Sequence, residues 1–138
     1  MIRGSLAAAV LALVAALSLA GAPAGGASRG PRTIEVTIHF SRFDPGAFDV
    51  RPGERVRFVI RNLDPIDHEF IVGDERVQDA HERGTERVHP PRPGEVTVPA
   101  LGSVETTYRF PVRPGSLLFG CHLPGHYAYG MRGTIDIG

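Results

Sequence analysis

Short segments in which apolar and polar residues strictly alternate place the tightest limit on how this chain can fold. In TIEVTIHF, residues 33–40, every second side chain from Ile34 to Phe40 is apolar and the side chains between them are polar. This two-residue period is typical of a β-strand with one buried face. VETTYRF, residues 104–110, has the same period, with Thr106 on the row of Val104, Tyr108 and Phe110. We therefore expect strands to build the core.

Further short apolar segments follow, each close to Pro or Gly residues that favour turns. They are RVRFVIRN (55–62), HEFIV (68–72), EVTV (95–98), SLLFGC (116–121) and RGTIDI (132–137). Together with the two alternating segments they make about seven strands, and many short strands separated by turns predict an all-β sandwich or barrel. The sequence shows no internal repeat.

One region interrupts the strand pattern. Residues 73–93, GDERVQDAHERGTERVHPPRP, are mostly polar and show no clear alternation. The stretch from Asp74 to Arg83 is compatible with a short helix that ends at Gly84, since glycine commonly follows the last helical residue. We therefore predict a helix or loop excursion on the surface at about 74–93.

The N-terminal segment has the features of a signal peptide. Arg3 precedes an apolar run from Leu6 to Ala20, and small residues in an A-x-A arrangement follow. We predict that residues 1–27 are a signal peptide and that 28–138 form one domain, exported to the periplasm or to the outer face of a bacterial cell membrane. An uncleaved segment, the alternative, would give membrane association.

The charge balance argues against a nucleic-acid partner. The 138 residues include 15 basic and 15 acidic side chains, so the formal net charge is zero. A chain without a net positive field has no general attraction for nucleic acid or for an anionic membrane. We expect neither as a partner.

The segment CHLPGHYAYGM, residues 121–131, contains the only cysteine of the chain. Cys121, His126 and Met131 offer a thiolate, an imidazole and a thioether, and this donor set favours copper over hard ions. His68, at the start of the apolar segment HEFIV, is the best candidate for a further ligand. Two imidazoles, one thiolate and a weak axial methionine make a blue copper electron-transfer site.

The other histidines are assigned outside this site. His39 lies on the polar face of its strand and is expected to be solvated. His81 and His89 are expected to be polar surface residues of the excursion, with a second, weak metal site as the less favoured interpretation. His122 is expected to point away from Cys121, because neighbouring residues of a strand face opposite sides.

The quoted residues resemble the cupredoxins, the small blue copper proteins, over most of the predicted domain. FDPGAFDVRPGERVRFVIRNLDPIDHEF (43–70) is similar to the early strands of that family, and CxxxxHxxxxM is similar to a rusticyanin-type ligand loop. The resemblance implies a Greek-key β-sandwich of about seven to eight strands holding one type 1 copper ion. It implies the ligands His68, Cys121, His126 and Met131.

The resemblance also assigns supporting roles. Asn62 would hydrogen-bond near the cysteine or tie the ligand loops together. His126 would lie at an exposed apolar end, where the electron leaves. The residues expected around it are Leu123, Pro124, Tyr127 and Tyr129.

We expect an electron carrier that cycles between Cu(I) and Cu(II) and meets redox proteins as partners. Four protein ligands leave no open position on the metal, so we expect neither an enzyme nor a small-molecule substrate. A copper chaperone or storage protein of the cell envelope is the alternative, and a structural domain without metal is a third possibility. Zinc is a poorer match to a thioether ligand, and the sequence lacks the additional histidines that a multicopper oxidase needs.

Overall fold

The computed structural model describes residues 30–84 and 89–138, which form nine strands and one helix. The elements are β1 (Arg32–Ile38), β2 (Phe43–Asp44), β3 (Ala47–Val50), β4 (Arg55–Asn62), β5 (His68–Gly73), α1 (Glu75–Glu82), β6 (Glu95–Val98), β7 (Ser103–Arg109), β8 (Gly115–Gly120) and β9 (Arg132–Ile137). One sheet has the order β2-β1-β4-β7 and the other has the order β3-β9-β8-β5-β6. The predicted all-β sandwich is confirmed.

The first sheet is built around a parallel pair. β1 runs parallel to β4, with Arg32 opposite Val56 and Ile38 opposite Asn62. β7 lies antiparallel on the other side of β4. The apolar side chains at alternate positions of β1 and β4 are buried, as the two-residue period predicts.

Phe40 departs from that prediction, because its side chain is 81% exposed instead of continuing the buried face. β1 ends at Ile38, and Phe40 and Ser41 adopt positive φ angles of 51° and 52°. The chain therefore turns away from the sheet before Phe40 and follows the path of a loop.

The second sheet brings the ends of three strands together. β5 is antiparallel to β8, with Ile71 opposite Gly120, and β8 is antiparallel to β9, with Gly120 opposite Arg132. The start of β5, the end of β8 and the start of β9 therefore lie at one end of the sandwich. His68, Cys121 and Met131 stand at these three positions.

The core fixes which way two of these side chains face. Phe70 and Phe119 are fully buried, with ring centroids 5.4 Å apart. His68 lies two residues before Phe70 and Cys121 lies two residues after Phe119. Because side chains two positions apart in a strand share a face, His68 and Cys121 continue the rows of core-facing residues.

The helix lies where the sequence predicted it. The Asp74 side chain caps α1 by accepting hydrogen bonds from the backbone N–H groups of Arg76 and Val77, both at 3.1 Å. After the helix, Gly84 has a φ angle of 74°, a conformation that glycine adopts without strain. The short helix within the predicted excursion is therefore confirmed.

Two strands were not predicted. β2 has two residues, too few to show any period, and β3 has a half-buried Phe48 beside exposed Ala47 and Asp49.

The predicted signal peptide, residues 1–27, lies outside the described residues. Within residues 30–84 and 89–138, no helix has the length and apolar character needed to cross a bilayer.

Candidate metal centre

Three of the predicted ligands converge at the end of the sandwich. Nδ1 of His126 lies 3.3 Å from Sγ of Cys121, and Nδ1 of His68 lies 3.8 Å from the same sulfur. The three donor atoms all lie within 4.8 Å of one another. His68 and Cys121 are completely buried, and His126 is half-buried.

The separations of the donors fit a shared metal ion. Imidazole nitrogen and thiolate sulfur bind a borderline metal at about 2.0–2.3 Å, so two such donors about 120° apart lie about 3.7 Å from each other. The observed distances of 3.3 and 3.8 Å are close to that value. The set of one sulfur and two imidazoles is the set that copper prefers in a trigonal site.

Met131 is held beside this cluster by its backbone. Its N–H group donates to the His126 carbonyl oxygen at 2.9 Å, and its carbonyl oxygen accepts from the Cys121 N–H group at 3.1 Å. The side chain is fully buried directly before β9. Axial coordination by the Met131 sulfur stays a prediction.

The loop between Cys121 and Met131 is folded by its own hydrogen bonds. The N–H of His126 donates to the carbonyl of Leu123 at 2.9 Å, and the N–H of Tyr129 donates to the carbonyl of Gly125 at 2.9 Å. Gly125 has a φ angle of 83°, which a residue with a side chain rarely adopts. The hydrogen bonds within the loop and the conformation of Gly125 therefore position His126 beside the sulfur.

Asp64 orients His68. Its Oδ2 lies 2.9 Å from Nε2 of His68, and the carboxylate also accepts hydrogen bonds from the backbone N–H groups of Phe40 at 2.7 Å and Ser41 at 2.8 Å. Burial would raise the pKa of the Asp64 carboxyl, but the N–H groups of Ser41 and Phe40 and the His68 ring outweigh it and lower that pKa. The ionised carboxylate holds a proton on Nε2 and leaves Nδ1 as the donor atom that faces Cys121.

Sequence reasoning missed Asp64. The available signal was a carboxylate four residues before the candidate ligand, in the turn NLDPIDH (62–68). In the sequence this residue is indistinguishable from Asp67, which caps a neighbouring turn by accepting from the Ala100 N–H group at 2.9 Å.

Asn62 ties loops together, which is one of the two roles that the resemblance implied. Its Oδ1 accepts from the Asp64 N–H group at 2.9 Å, and its Nδ2 donates to the carbonyl oxygens of Ile66 at 2.8 Å and Pro99 at 3.1 Å. A hydrogen bond to the cysteine sulfur comes instead from the backbone N–H of Glu69, at 3.3 Å. Asn62 thus braces the loop that carries Asp64.

His122 points away from the cluster, as predicted. Its Nε2 lies 2.8 Å from Oε1 of Gln78 and its Nδ1 lies 2.9 Å from Oε2 of Glu82, both on α1. Its ring stacks on Tyr127, with the centroids 4.5 Å apart. His122 therefore connects the helix to the ligand loop and stays outside the donor set.

The prediction that His81 and His89 are surface residues is wrong. His81 is 6% exposed, and the His89 side chain is 13% exposed. The helical period turns Gln78 and His81, three residues apart, towards the sheet. The polar excursion therefore buries polar groups that composition alone assigns to solvent. His39 is exposed, as expected.

The Cys121 thiol gives the site a pH dependence. Burial raises the pKa of this thiol to about 11, although the backbone N–H groups of Glu69 and Leu123 partly oppose the shift. Metal binding needs the thiolate, so copper must displace a proton. Below that pKa, we expect the apparent copper affinity to rise about tenfold per pH unit, because one proton is released per ion bound.

Two measurements check this expectation. Ultraviolet absorption of the thiolate in metal-free protein should show a titration centred near 11. Copper binding followed in weakly buffered solution at neutral pH should release one proton per ion, and the Cys121→Ser variant should not show this release. A thiolate already present at pH 8 would contradict the argument.

The comparisons with known proteins agree with a copper-binding protein. The sequence profile of the copper-binding proteins of the plastocyanin/azurin family matches residues 33–138. The copper-resistant cuproprotein CopI of Rubrivivax gelatinosus is 38% identical over 117 residues, which are 82% of this chain and 70% of that protein. The copper-resistant cuproprotein CopI of Pseudomonas aeruginosa is 28% identical over 144 residues, covering 80% of this chain and 78% of that protein.

A solved structure extends the agreement to the fold. Auracyanin B superposes with a TM-score of 0.67 at 25% sequence identity, covering 80% of this chain and 91% of auracyanin B. The family profile spans both sheets and the whole of the ligand loop. From these matches and from the copper-fitting donors at the end of the sandwich, the chain belongs to the plastocyanin/azurin family of copper-binding proteins, the cupredoxins.

Proposed function

We propose that this protein is an exported mononuclear blue copper protein that transfers single electrons between redox proteins. Copper held by His68, Cys121, His126 and Met131 would supply the Cu(I)/Cu(II) couple. The observation that carries the proposal is the burial of the donor set: His68 and Cys121 are inaccessible to solvent, and only His126 is partly exposed. Such a site excludes substrate and has one side chain through which an electron can reach the surface.

The residues around the donors keep the site rigid. Asp64 is fixed by two backbone N–H groups, and the Cys121 and Met131 backbones are joined directly by a hydrogen bond of 3.1 Å. Phe70 and Phe119 pack behind the two buried ligands. Donors held in this way move little when the charge on the metal changes, and that favours electron transfer over chemistry that needs an open coordination position.

Five large apolar side chains are exposed in the loops at this end of the molecule. We call them the apolar rim: Phe40, Leu63, Ile66, Leu101 and Tyr129. Among the described residues, the only other large apolar side chain that is exposed to this degree is Val112. Contiguous apolar surface marks sites where proteins dock. The apolar rim therefore supports a protein partner that approaches His126.

Backbone contacts place the apolar rim next to the ligands. The N–H of Phe40 donates to the Asp64 carboxylate, the N–H of Leu101 donates to the Asp64 carbonyl at 3.0 Å, and the N–H of Leu63 donates to the carbonyl of Ile38 at 2.9 Å. Of the four residues expected around His126, Pro124 and Tyr129 are exposed, whereas Leu123 and Tyr127 are half-buried. Leu123 packs against the core and Tyr127 stacks on His122.

A copper chaperone or storage protein is the second candidate. The observation that favours it is that both curated relatives are named copper-resistant cuproproteins. A chaperone needs a metal that exchanges with an acceptor, whereas the donors here are mostly buried and leave copper few routes of release. Burial therefore favours the electron carrier.

Two measurements on the same copper-loaded sample separate the candidates. Voltammetry reports whether one electron enters and leaves reversibly, and transfer to a Cu(I) chelator reports how fast the metal leaves. We expect a reversible wave and release that is slow compared with electron exchange. Fast release without a reversible wave would favour the chaperone and would overturn the electron-transfer proposal.

The proposal includes the location of the protein and its lack of catalytic activity. Export to the periplasm or the outer face of the cell membrane rests on the segment from Arg3 to Ala20. Fractionation of the producing cells, with sequencing of the N-terminus of the recovered protein, tests export and cleavage together. The absence of an open coordination position argues against turnover of a small-molecule substrate.

Replacement of Met131 tests the axial ligand. Met131→Gln offers a harder oxygen donor, which stabilises Cu(II), so the reduction potential should fall. Met131→Leu keeps the volume and removes the sulfur donor, so the potential should rise. Voltammetry measures both. If Met131 only fills the core, Met131→Leu will leave the potential unchanged.

A further inference from the structure

A second group of metal-binding side chains lies within the predicted excursion and at the start of β6. His81 is on the last turn of α1, His89 lies before the Pro-rich turn, and Glu95 begins β6. Nε2 of His81 lies 3.1 Å from Nε2 of His89. Oε2 of Glu95 lies 3.1 Å from Nε2 of His89 and 3.7 Å from Nε2 of His81.

Backbone carbonyls fix the tautomers of both imidazoles. Nδ1 of His81 lies 2.9 Å from the carbonyl oxygen of Val77, and Nδ1 of His89 lies 2.8 Å from the carbonyl oxygen of Pro90. A carbonyl oxygen only accepts, so each Nδ1 must carry its proton. Each Nε2 of a neutral ring is then a lone pair, and the two lone pairs face each other and a carboxylate.

Three acceptors converge here and repel one another, and the ion pair of Oε2 of Glu95 with Nη1 of Arg92, at 3.5 Å, offsets this for the carboxylate alone. The Oε2 atom of Glu95 is buried and has no hydrogen-bond partner, although it lies close to both rings. A second proton placed between the two Nε2 atoms would relieve the histidines but would leave Oε2 without a hydrogen bond. A cation bound among the two Nε2 atoms and Oε2 would satisfy all three acceptors at once. Histidines that bind metals commonly donate the N–H of their other ring nitrogen to a backbone carbonyl, as His81 and His89 do here.

The geometry fits such a cation. Nitrogen and oxygen donors about 2.0–2.2 Å from one ion lie about 2.9–3.7 Å apart when the bond angles are between about 90° and 125°. The three observed separations, 3.1, 3.1 and 3.7 Å, fall within that range. We propose that His81, His89 and Glu95 form a second metal site that binds one divalent transition-metal ion, of the class of Zn(II) or Cu(II).

The surroundings support a site that exchanges its metal more readily than the buried sulfur site. The side chains of His81, His89 and Glu95 are 4%, 13% and 15% exposed, so the ion would reach solvent on one side. Three protein donors leave at least one position for water. Nη1 of Arg92 lies 3.5 Å from Oε2 of Glu95, and this half-exposed guanidinium would have to move aside when the ion binds.

The second site shares no ligand with the sulfur site. Its ligands come from α1, from the residue directly before Pro90 and from β6, although the His81 ring packs against His122 of the ligand loop with the centroids 5.6 Å apart. Glu95 is positioned by paired backbone hydrogen bonds with Arg92, at 2.9 and 3.0 Å, which close the turn. Metal binding by this site would give the excursion a function of its own, in addition to that of the sulfur site.

Counting bound Zn(II) by isothermal titration calorimetry tests the proposal. Metal-free wild-type protein should bind one more Zn(II) ion than the His89→Ala variant and one more than the Glu95→Gln variant, or bind it at least about tenfold more tightly. His39→Ala and Glu35→Gln are matched controls, because they make the same chemical changes at exposed positions on β1 and directly after it, away from the cluster. Both controls should bind as many ions as wild type.

The test compares zinc binding by wild type and by the variants. Its outcome therefore does not depend on whether the protein transfers electrons. Circular dichroism and thermal unfolding should show that the variants are folded. Co(II) gives a second readout, since the visible bands of the ion at this site should disappear in both cluster variants and persist in both controls. Equal binding of Zn(II) by wild type and both cluster variants would overturn the proposal.

Discussion

Cys121→Ser should abolish the intense visible absorption of the copper-loaded protein. That absorption arises from charge transfer between a thiolate and Cu(II), and Cys121 is the only cysteine of the chain. A serine hydroxyl is a poor ligand for copper because it keeps its proton at neutral pH, so the Cu(II) affinity should fall by at least about 100-fold. Visible spectroscopy and competition with a chelator measure the two effects.

His122→Ala is the control for the cysteine variant. His122 is the next residue in the chain, but its ring nitrogen atoms face Gln78 and Glu82 on α1. The variant should therefore keep the colour and the copper affinity, although α1 loses an attachment to the ligand loop. Loss of both the colour and the copper affinity in a folded His122→Ala variant would show that His122 belongs to the donor set and would contradict the ligand assignment.

Asp64→Asn should cost both copper affinity and stability. Oδ2 of Asp64 serves the N–H group of Ser41 and the His68 ring, and Oδ1 serves the N–H group of Phe40. An amide has one oxygen, so its NH₂ group must face at least one of these donors. We expect the Cu(II) affinity to fall about 10- to 100-fold and the free energy of unfolding to fall by about 1–3 kcal/mol.

Asp67→Asn is the matched control for Asp64→Asn. It makes the same change three residues away in the same loop, where the carboxylate accepts one hydrogen bond at an exposed position. Chelator competition should show wild-type copper affinity, and urea unfolding should show a smaller change than for Asp64→Asn. Similar losses of copper affinity in both variants would contradict a special role for Asp64 in orienting His68.

The sequence predicted the strands and the helix because their signals are local. Alternation marks the buried faces of β1 and β4, and Asp74 and Gly84 mark the two ends of α1. The ligand loop was predictable for the same reason, since Cys121, His126 and Met131 are carried on one short turn. His68 required only the additional step of placing it at the start of a core strand.

Contacts between distant residues were beyond this reasoning. Asp64 acts because the loop of Phe40 and Ser41 folds over it, and those residues are more than 20 positions away in the sequence. The same loop carries Phe40 out of the alternating pattern, because left-handed backbone conformations at Phe40 and Ser41 end the strand. Neither effect has a local signal in the sequence.

The cluster of His81, His89 and Glu95 shows the same limit. Sequence composition assigned the excursion to the surface, since it is rich in charged residues. The burial of His81 follows from the packing of α1 on the second sheet, where Gln78 donates to the carbonyl oxygens of Ile71 and Leu118. Glu95 joins the histidines through the position of β6, which spacing along the chain does not reveal.

We expect His68, Cys121 and His126 to bind one copper ion between them. A crystal structure of protein loaded with one equivalent of copper tests it, through an anomalous difference map recorded at the copper absorption edge. We expect one strong peak within bonding distance of Sγ of Cys121 and of Nδ1 of both histidines. A map with no peak among these three atoms, and with the copper bound elsewhere, would contradict it.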